Sequence, residues 1–159
     1  MSDTFTFAMG EFDATFPTDY LYAKNHMWAL PWGAPEELNR YRFGLTAYAV
    51  RLLQDVYFLD WIVDAPCELT QRGGIGSIES KKAESDLFSP VTGTLVTINS
   101  NLLDDPSLIN SDPYGDGWML EIRCDSTQRE LLLSPDEYAK HLEEAWDVAQ
   151  RTIKGQANQ

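Results

Sequence analysis

The stretch "GSIESKKAESDLFSPVTG" (76–93) decides how this chain is read. Residues 75–80 and 84–89 predict two short strands, and Lys81-Lys82-Ala83 between them predicts a tight turn. A lysine pair then stands at the tip of a hairpin. Such a lysine is solvated, and nothing apolar beside it in sequence would desolvate it into a nucleophile, so Schiff-base chemistry is not indicated. The position suits a different use. An acylating enzyme can reach the tip from both sides, the hairpin fixes the root of the arm, and acylation removes the charge. The competing reading is that both lysines only keep a turn soluble, and the hairpin by itself favours it, since lysines in turns are common.

Outward from the hairpin, the pattern is mostly strand. Upstream, residues 1–19 are polar and aromatic without a clear period and read as an N-terminal arm lying across the domain. "YLYAKNHMWAL" (20–30) reads as one strand with Trp28 and Leu30 on one face, and 31–39 as a loop marked by Pro31, Gly33 and Pro35. "YRFGL" (41–45) returns as a strand. Thr46 caps a short helix in which Ala49, Leu52 and Leu53 share a face. "VYFLDWIV" (56–63) is β-branched and aromatic and reads as a strand, with a further short one around Cys67–Leu69.

Downstream, "TLVTI" (94–98) is a strand, and Asp105-Pro106 predicts the N-cap and first turn of a brief helix over "PSLIN". "WMLEIRC" (118–124) alternates Trp118, Leu120 and Ile122 as a half-buried strand does. Ser134-Pro135-Asp136-Glu137 has the form of a capping box with a first-turn proline. It opens a helix of about five turns. Its stripe is Tyr138, Leu142, Ala145, Trp146, Ala149 and Ile153, expected to pack on the sheet, and Gly155 is its expected end. The expected fold class is mainly β: a small β-sandwich or flattened barrel with two short helices and a long C-terminal helix. The expected units are an arm (1–19), a carrier domain (20–133) and a terminal helix packed on it (134–159).

Composition bounds the partners. The 159 residues carry a net charge of −13, which disfavours nucleic acid and anionic membranes and favours a basic partner. Five Trp, seven Tyr and seven Phe argue for a packed core rather than disorder. The opening residues show no export signal, and no apolar run approaches the roughly 18 residues of a membrane span. A cytoplasmic, reducing location is expected. Cys67 and Cys124 then read as free thiols, a disulfide between them being the alternative. No catalytic or metal-ligand spacing joins them to His26 or His141, the two histidines, so no catalytic residue and no metal is expected.

The residues from the hairpin onward carry a resemblance. "GSIESKKAESDLFSPVTGTLVTINSNLLDDPSLINSDPYGDGWMLEIR" resembles the lipoyl-carrying core of the glycine cleavage system H protein family. It has, in order, the Glu-Ser-x-Lys-Ala tip, Ser-Asp, the aromatic-Ser-Pro-Val-x-Gly run, an Asn-rich segment, Asp-Pro-x-Leu-x-Asn, and Pro-Tyr-Gly-x-Gly-Trp. Upstream, "YAKNHMWA" and "FGLTAYAVRLLQDVYFLD" are similar to the family's opening, so the resemblance spans roughly residues 20–124. It implies a lipoyl-domain-like fold (a barrel-sandwich hybrid) and covalent lipoate on Lys82 rather than Lys81. It also implies recognition of Glu79 and Gly93 by a lipoate-attaching enzyme. Read from the residues alone, Glu79 offers a carboxylate to a basic ligase surface, and Gly93 permits a Thr92-Gly93 turn that aligns the hairpin. Biotin is set aside, because no methionine flanks the lysine.

On this resemblance the chain is no enzyme but a carrier. Departures around the tip direct the choice of pathway. Lys81 stands where an apolar residue is usual, Glu84 where a small one is, and residues 31–39 and 60–74 differ from the common pattern. They point to the H-protein-like lipoate-binding proteins of heterodisulfide-reductase-like sulfur oxidation, with a heterodisulfide-reductase-like complex as partner. The alternative is an H protein carrying an aminomethyl group for a glycine decarboxylase-type enzyme; either way a dihydrolipoamide dehydrogenase-like enzyme is a further partner. An unlipoylated binding or regulatory module is a third reading. A groove on such a carrier could shelter the arm, with Trp28, Tyr48 and Trp61 as candidates for its lining, although the core is the favoured reading of these aromatics.

Overall fold

The structure, a computed structural model, describes residues 3–33 and 39–157, with side chains to residue 151. A six-stranded antiparallel sheet runs in the order β3 (Leu21–Tyr22), β4 (Met27–Pro31), β5 (Arg40–Leu45), β11 (Leu120–Arg123), β10 (Gly93–Ile98), β7 (Cys67–Leu69). A three-stranded sheet packs on it in the order β6 (Val56–Trp61), β8 (Gly74–Ser80), β9 (Glu84–Phe88). The main core lies between them. Phe43, Leu45, Leu95, Leu120 and Ile122 come from the larger sheet and Leu59, Ile75, Ile78 and Leu87 from the smaller, all buried. This is the expected mainly-β sandwich with a long terminal helix.

Several local expectations change. Residues 20–30 are two strands, not one: β3 turns back into β4 through a tight bend in which Ala23 N–H donates to Met27 O and His26 adopts a φ of +68°. Histidine is among the side chains that tolerate this region. Strand β4 also takes in Pro31, and of the expected loop, 31–39, residues 34–38 lie outside the described residues. Asp105 does not cap the helix after it. The chain makes two single turns instead, α2 (Asn101–Asp104) and α3 (Leu108–Ser111), and Asp105 accepts a hydrogen bond from Ser107 Oγ. Helix α1 (Ala47–Leu53) has the expected cap, Thr46 accepting from Ala49 N–H. A further turn, α4 (Ser126–Arg129), precedes α5 (Pro135–Ala157).

Helix α5 opens with the reciprocal capping box: Ser134 N–H donates to Glu137 Oε1 (2.9 Å) and Glu137 N–H to Ser134 Oγ (3.2 Å). These hydrogen bonds hold the Glu137 carboxyl below its usual range. The helix continues through Gly155 to Ala157, since a glycine keeps helical dihedrals at no steric cost. Ile153, placed on the stripe by periodicity, has its side chain outside the described ones.

The apolar stripe of α5 meets a hairpin rather than the sheet alone. Residues expected as an irregular arm form β1 (Thr4–Met9) and β2 (Phe12–Pro17), turning at Gly10 with φ +67°. Their inward residues Met9, Ala14 and Phe16 join Tyr22, Trp28, Tyr48, Tyr138 and Leu142 in a second, aromatic core. Tyr138 stacks on Tyr22 with centroids 4.5 Å apart and planes 2° from parallel. Trp28 lies flat over Gly44, where any Cβ would meet the indole at 2.7 Å, and donates from Nε1 to Pro113 O (2.8 Å).

On the far side of the larger sheet, the buried carboxylate of Glu121 is shared by Arg40 and Arg42, and the Arg42 guanidinium lies between the rings of Trp32 and Trp118. A buried carboxylate is tolerated when paired and hydrogen-bonded in this way.

Candidate functional site

The β8–β9 hairpin forms as expected, with Glu79 paired to Glu84 and Ile78 to Ser85. Lys81, Lys82 and Ala83 at its tip are all exposed. The turn is held by Ser80, which is buried. Its N–H donates to Ala83 O (2.8 Å), its hydroxyl donates to the same carbonyl (3.1 Å), and its Oγ accepts from Lys82 N–H (3.3 Å) and Ala83 N–H (3.2 Å). Lys81 N–H donates to Asp55 O (2.9 Å), tying the tip to the start of β6. That start is itself pinned by Asn110, which donates to Gln54 O (2.7 Å) and accepts from Val56 N–H (2.9 Å). The backbone under Lys82 is thus fixed by three segments, while its side chain is left to solvent.

Glu79 lies three residues before Lys82 on β8, half-buried between Phe58 on β6 and Glu84 on β9. Like charges directly opposite on a sheet repel. Gly93 is distant along the chain and does not open a turn through an unusual φ. It begins β10, and a Cβ there would sit 2.3 Å from Arg123 O on β11. Close approach of β10 to β11, not turn geometry, is what demands the glycine. Ser80, Asp55 and Asn110 went unnoticed as supports of the tip. Ser80 carried one legible signal, a hydroxyl directly before a two-residue turn, of the kind that bonds its own backbone.

Directly beside the tip opens a groove of about 350 Å³. Ala83, Glu84, Ser85 and Asp86 form one wall, so the wall begins with the residue after Lys82. Ala49, Leu52 and Leu53 of α1 face them, with Asn25, His26 and Met27 at the β3–β4 bend closing one end. The aromatics named as candidate lining take the favoured reading, the core, instead. Trp28 and Tyr48 are buried in the second core, and Trp61 packs against the main one with its Nε1 buried and unpartnered. These large rings are drawn into cores by the area they bury, leaving Phe88 and aliphatic residues as the apolar part of the groove.

The histidines, far apart in sequence, meet here. Their rings stack 5.3 Å apart, His141 bonds Lys24 O through Nε2 (2.8 Å), and His26 Nδ1 lies 2.8 Å from Tyr138 Oη. Burial, and secondarily His141, lower the His26 pKa to about 4. The cysteines do not join them. Both are free, and burial pushes the Cys124 thiol up to about 11, an inert packing residue. Among the described residues no group of three or more metal-ligating side chains assembles. No described helix is long and apolar enough to cross a membrane.

A rigid tip bearing a free amine, with a partly apolar groove opening next to it, is the arrangement of the swinging-arm carrier class, in which a domain offers a lysine for a covalent group. The comparisons narrow this class. The model of the family described as "Glycine cleavage H-protein" matches residues 20–145. The chain is 41% identical over 128 residues to the probable glycine cleavage system H protein of Haloarcula marismortui, covering 80% of this chain and 96% of that one. It is 38% identical to the glycine cleavage system H protein of Rubrobacter xylanophilus, covering 82% and 98%. The crystal structure of a glycine cleavage system H protein from Mycobacterium marinum superposes with a TM-score of 0.66 at 31% identity, covering 80% of this chain and 99% of that one. The chain belongs to the glycine cleavage H-protein family, whose members are non-catalytic carriers of a covalent lipoyl-lysine. Strands β1 and β2 lie outside the residues that the family model matches.

Proposed function

We propose that this chain is the lipoyl carrier of a glycine cleavage reaction, with the lipoyl group on Lys82 and an aminomethyl group as its cargo. Bound there, the group supplies a dithiolane that opens and closes by thiol–disulfide exchange. The residues suit it. Ser80 and Asp55 hold the backbone of the tip, the Lys82 side chain is exposed, and the apolar walls from α1 and Leu87 accept a hydrocarbon arm. Glu79 and Gly93 are the features a lipoate-attaching enzyme reads, Glu79 as a carboxylate near the tip and Gly93 by keeping the sheet beneath it closely packed. The other components of glycine cleavage, including a dihydrolipoamide dehydrogenase-like enzyme, are the partners, in the cytoplasm.

One observation carries the choice of cargo. The groove wall next to Lys82 presents Glu84 and Asp86, and no lysine or arginine is among the described residues that line it. An aminomethyl group is a cationic amine, which carboxylates attract. An oxidised sulfur cargo is anionic, and they repel it. The relatives above likewise have glycine cleavage names, and none of them supports the sulfur-oxidation branch that the tip substitutions suggested. Lys81 is a change in the exposed turn and Glu84 one at the exposed start of β9, and the architecture beneath them is that of the relatives; at Glu84 the change adds a carboxylate to the groove wall.

The test is bicarbonate exchange into glycine by a glycine decarboxylase supplied with the lipoylated chain, which is expected to support exchange. No exchange above the enzyme-only background, together with retention of a heterodisulfide-reductase-like complex on a column of lipoylated chain, overturns this reading in favour of the sulfur branch.

A further inference from the structure

A hydrogen-bonded chain runs from α1 to the end of the groove. Ala49 N–H is directed at Thr46 Oγ1 (3.5 Å), Thr46 Oγ1 lies 3.0 Å from Tyr138 Oη, and Tyr138 Oη lies 2.8 Å from His26 Nδ1. Thr46 and Tyr138 are both fully buried. Satisfaction of the donors sets the direction of the protons. Were Tyr138 to donate to Thr46, the threonine proton would be buried with no acceptor, at the full desolvation cost of a hydroxyl. With Thr46 donating to Tyr138, and Tyr138 to His26 Nδ1, every proton is used. The imidazole of neutral His26 then carries its own proton on Nε2.

That nitrogen is the unused end of the chain. His26 lines the groove, and Nε2 has no hydrogen-bond partner among the described residues. It is not buried either: among the described residues the buried side-chain nitrogen without a partner is Trp61 Nε1. The bend in which His26 sits, with φ +68°, a tilted contact with the Tyr48 ring and stacking on His141 hold the ring in place. Glu84 and Asp86 on the opposite wall are acceptors and oppose a second negative charge.

We propose that His26 is a positioning residue of the groove, presenting Nε2–H as the hydrogen-bond donor to the sulfur end of the sheltered lipoyl arm and, when the arm is reduced, offsetting at that sulfur the repulsion that Glu84 and Asp86 exert on its thiolate. This rests on Lys82 carrying the lipoyl group and adds the contact that receives it.

Wild-type chain, Tyr138→Phe and His26→Asn are lipoylated, checked by intact mass and circular dichroism, reduced with a phosphine, and alkylated with iodoacetamide across pH. The modified Lys82 peptide is followed by mass, which separates it from Cys67. Tyr138→Phe keeps the stacked ring and breaks only the relay; asparagine tolerates the left-handed φ. Both variants are expected to move the alkylation midpoint upward by about one pH unit, the scale of one charge-assisted hydrogen bond. Nitrogen-15 spectra of the unlipoylated wild type are expected to show His26 protonated on Nε2, and those of Tyr138→Phe a mixture of tautomers. A wild-type imidazole protonated on Nδ1, or one midpoint shared by all three lipoylated chains, overturns the role of His26 alone. A wild-type chain that takes up no lipoyl group on Lys82 overturns the carrier reading, and this assignment with it.

Discussion

The N-terminal hairpin β1–β2 and the β8–β9 hairpin are both antiparallel pairs joined by short turns, and they are used in opposite ways. The first buries Met9, Ala14 and Phe16 against α1 and α5, and its outer face is Thr4, Thr6, Asp13 and Thr15. The second buries Ile78 and Leu87 on its inner face, is paired along β8 with β6 up to the Lys81–Asp55 hydrogen bond, and leaves the side chains of Lys81, Lys82 and Ala83 exposed at its tip. Both hairpins are held by packing, but only the second carries its backbone bracing out to a turn whose side chains are in solvent. A hairpin braced in this way can offer a side chain to another protein without giving up stability. The first contributes stability and offers little.

That contrast can be broken by substitution. The largest effect falls on Lys82→Arg, which keeps the charge but cannot form the amide. Intact mass after incubation with a lipoate-attaching enzyme is expected to show no gain, while urea unfolding changes by less than about 0.5 kcal/mol, as for an exposed site. Lipoylation of that variant elsewhere in the chain would remove the distinction between the hairpins. Phe16→Ala should do the reverse. Its ring is wholly buried between Phe5 and Tyr138, and its loss is expected to cost about 3–5 kcal/mol in urea unfolding while lipoylation below the transition proceeds at the wild-type rate.

A third prediction concerns the seam between the aromatic core and the groove. The His26 pKa is lowered from 6.5 to about 4 on folding, so the unfolded chain binds the extra proton between those values. His26 therefore contributes stability that is full above pH 6.5 and is lost as pH falls toward 4, about 3 kcal/mol in all. Comparing wild type with His26→Asn at each pH isolates this term from the acidic surface, and a difference that stays flat across the window refutes it.

The smallest effect belongs to Ser80→Ala. Removing the hydroxyl leaves the Lys82 and Ala83 N–H groups to water at the exposed tip, which is expected to cost about 1 kcal/mol. Lipoylation should slow because the lysine is no longer held in one orientation. Unchanged lipoylation kinetics would show that the attaching enzyme needs the lysine but not its fixed base.

The parts legible in the sequence were those governed by neighbours along the chain. The capping box at Ser134 and Glu137, the Thr46 cap and the turn at Lys81-Lys82 depend on residues within a few positions of each other. The misreadings came where distant groups decided. The bend at His26 is invisible as a strand break because neither glycine nor proline marks it; packing of the ring against Tyr138 and His141, more than a hundred residues away, stabilises the bend. The aromatics of residues 5–16 show no helical period, yet they alternate once the Gly10 turn is granted.

From the order of residues alone came the antiparallel sandwich, the long capped helix and a lysine pair exposed at a hairpin tip, because strand pattern, caps and turns are local and their free energies act over a few residues. The tertiary structure alone decided which side chains line the groove, that Gly93 answers to a carbonyl on the next strand, and that the two histidines share one site. Those depend on which faces come together when apolar area is buried, and burial is non-directional: it rewards the total area removed from water, not any particular pair of residues.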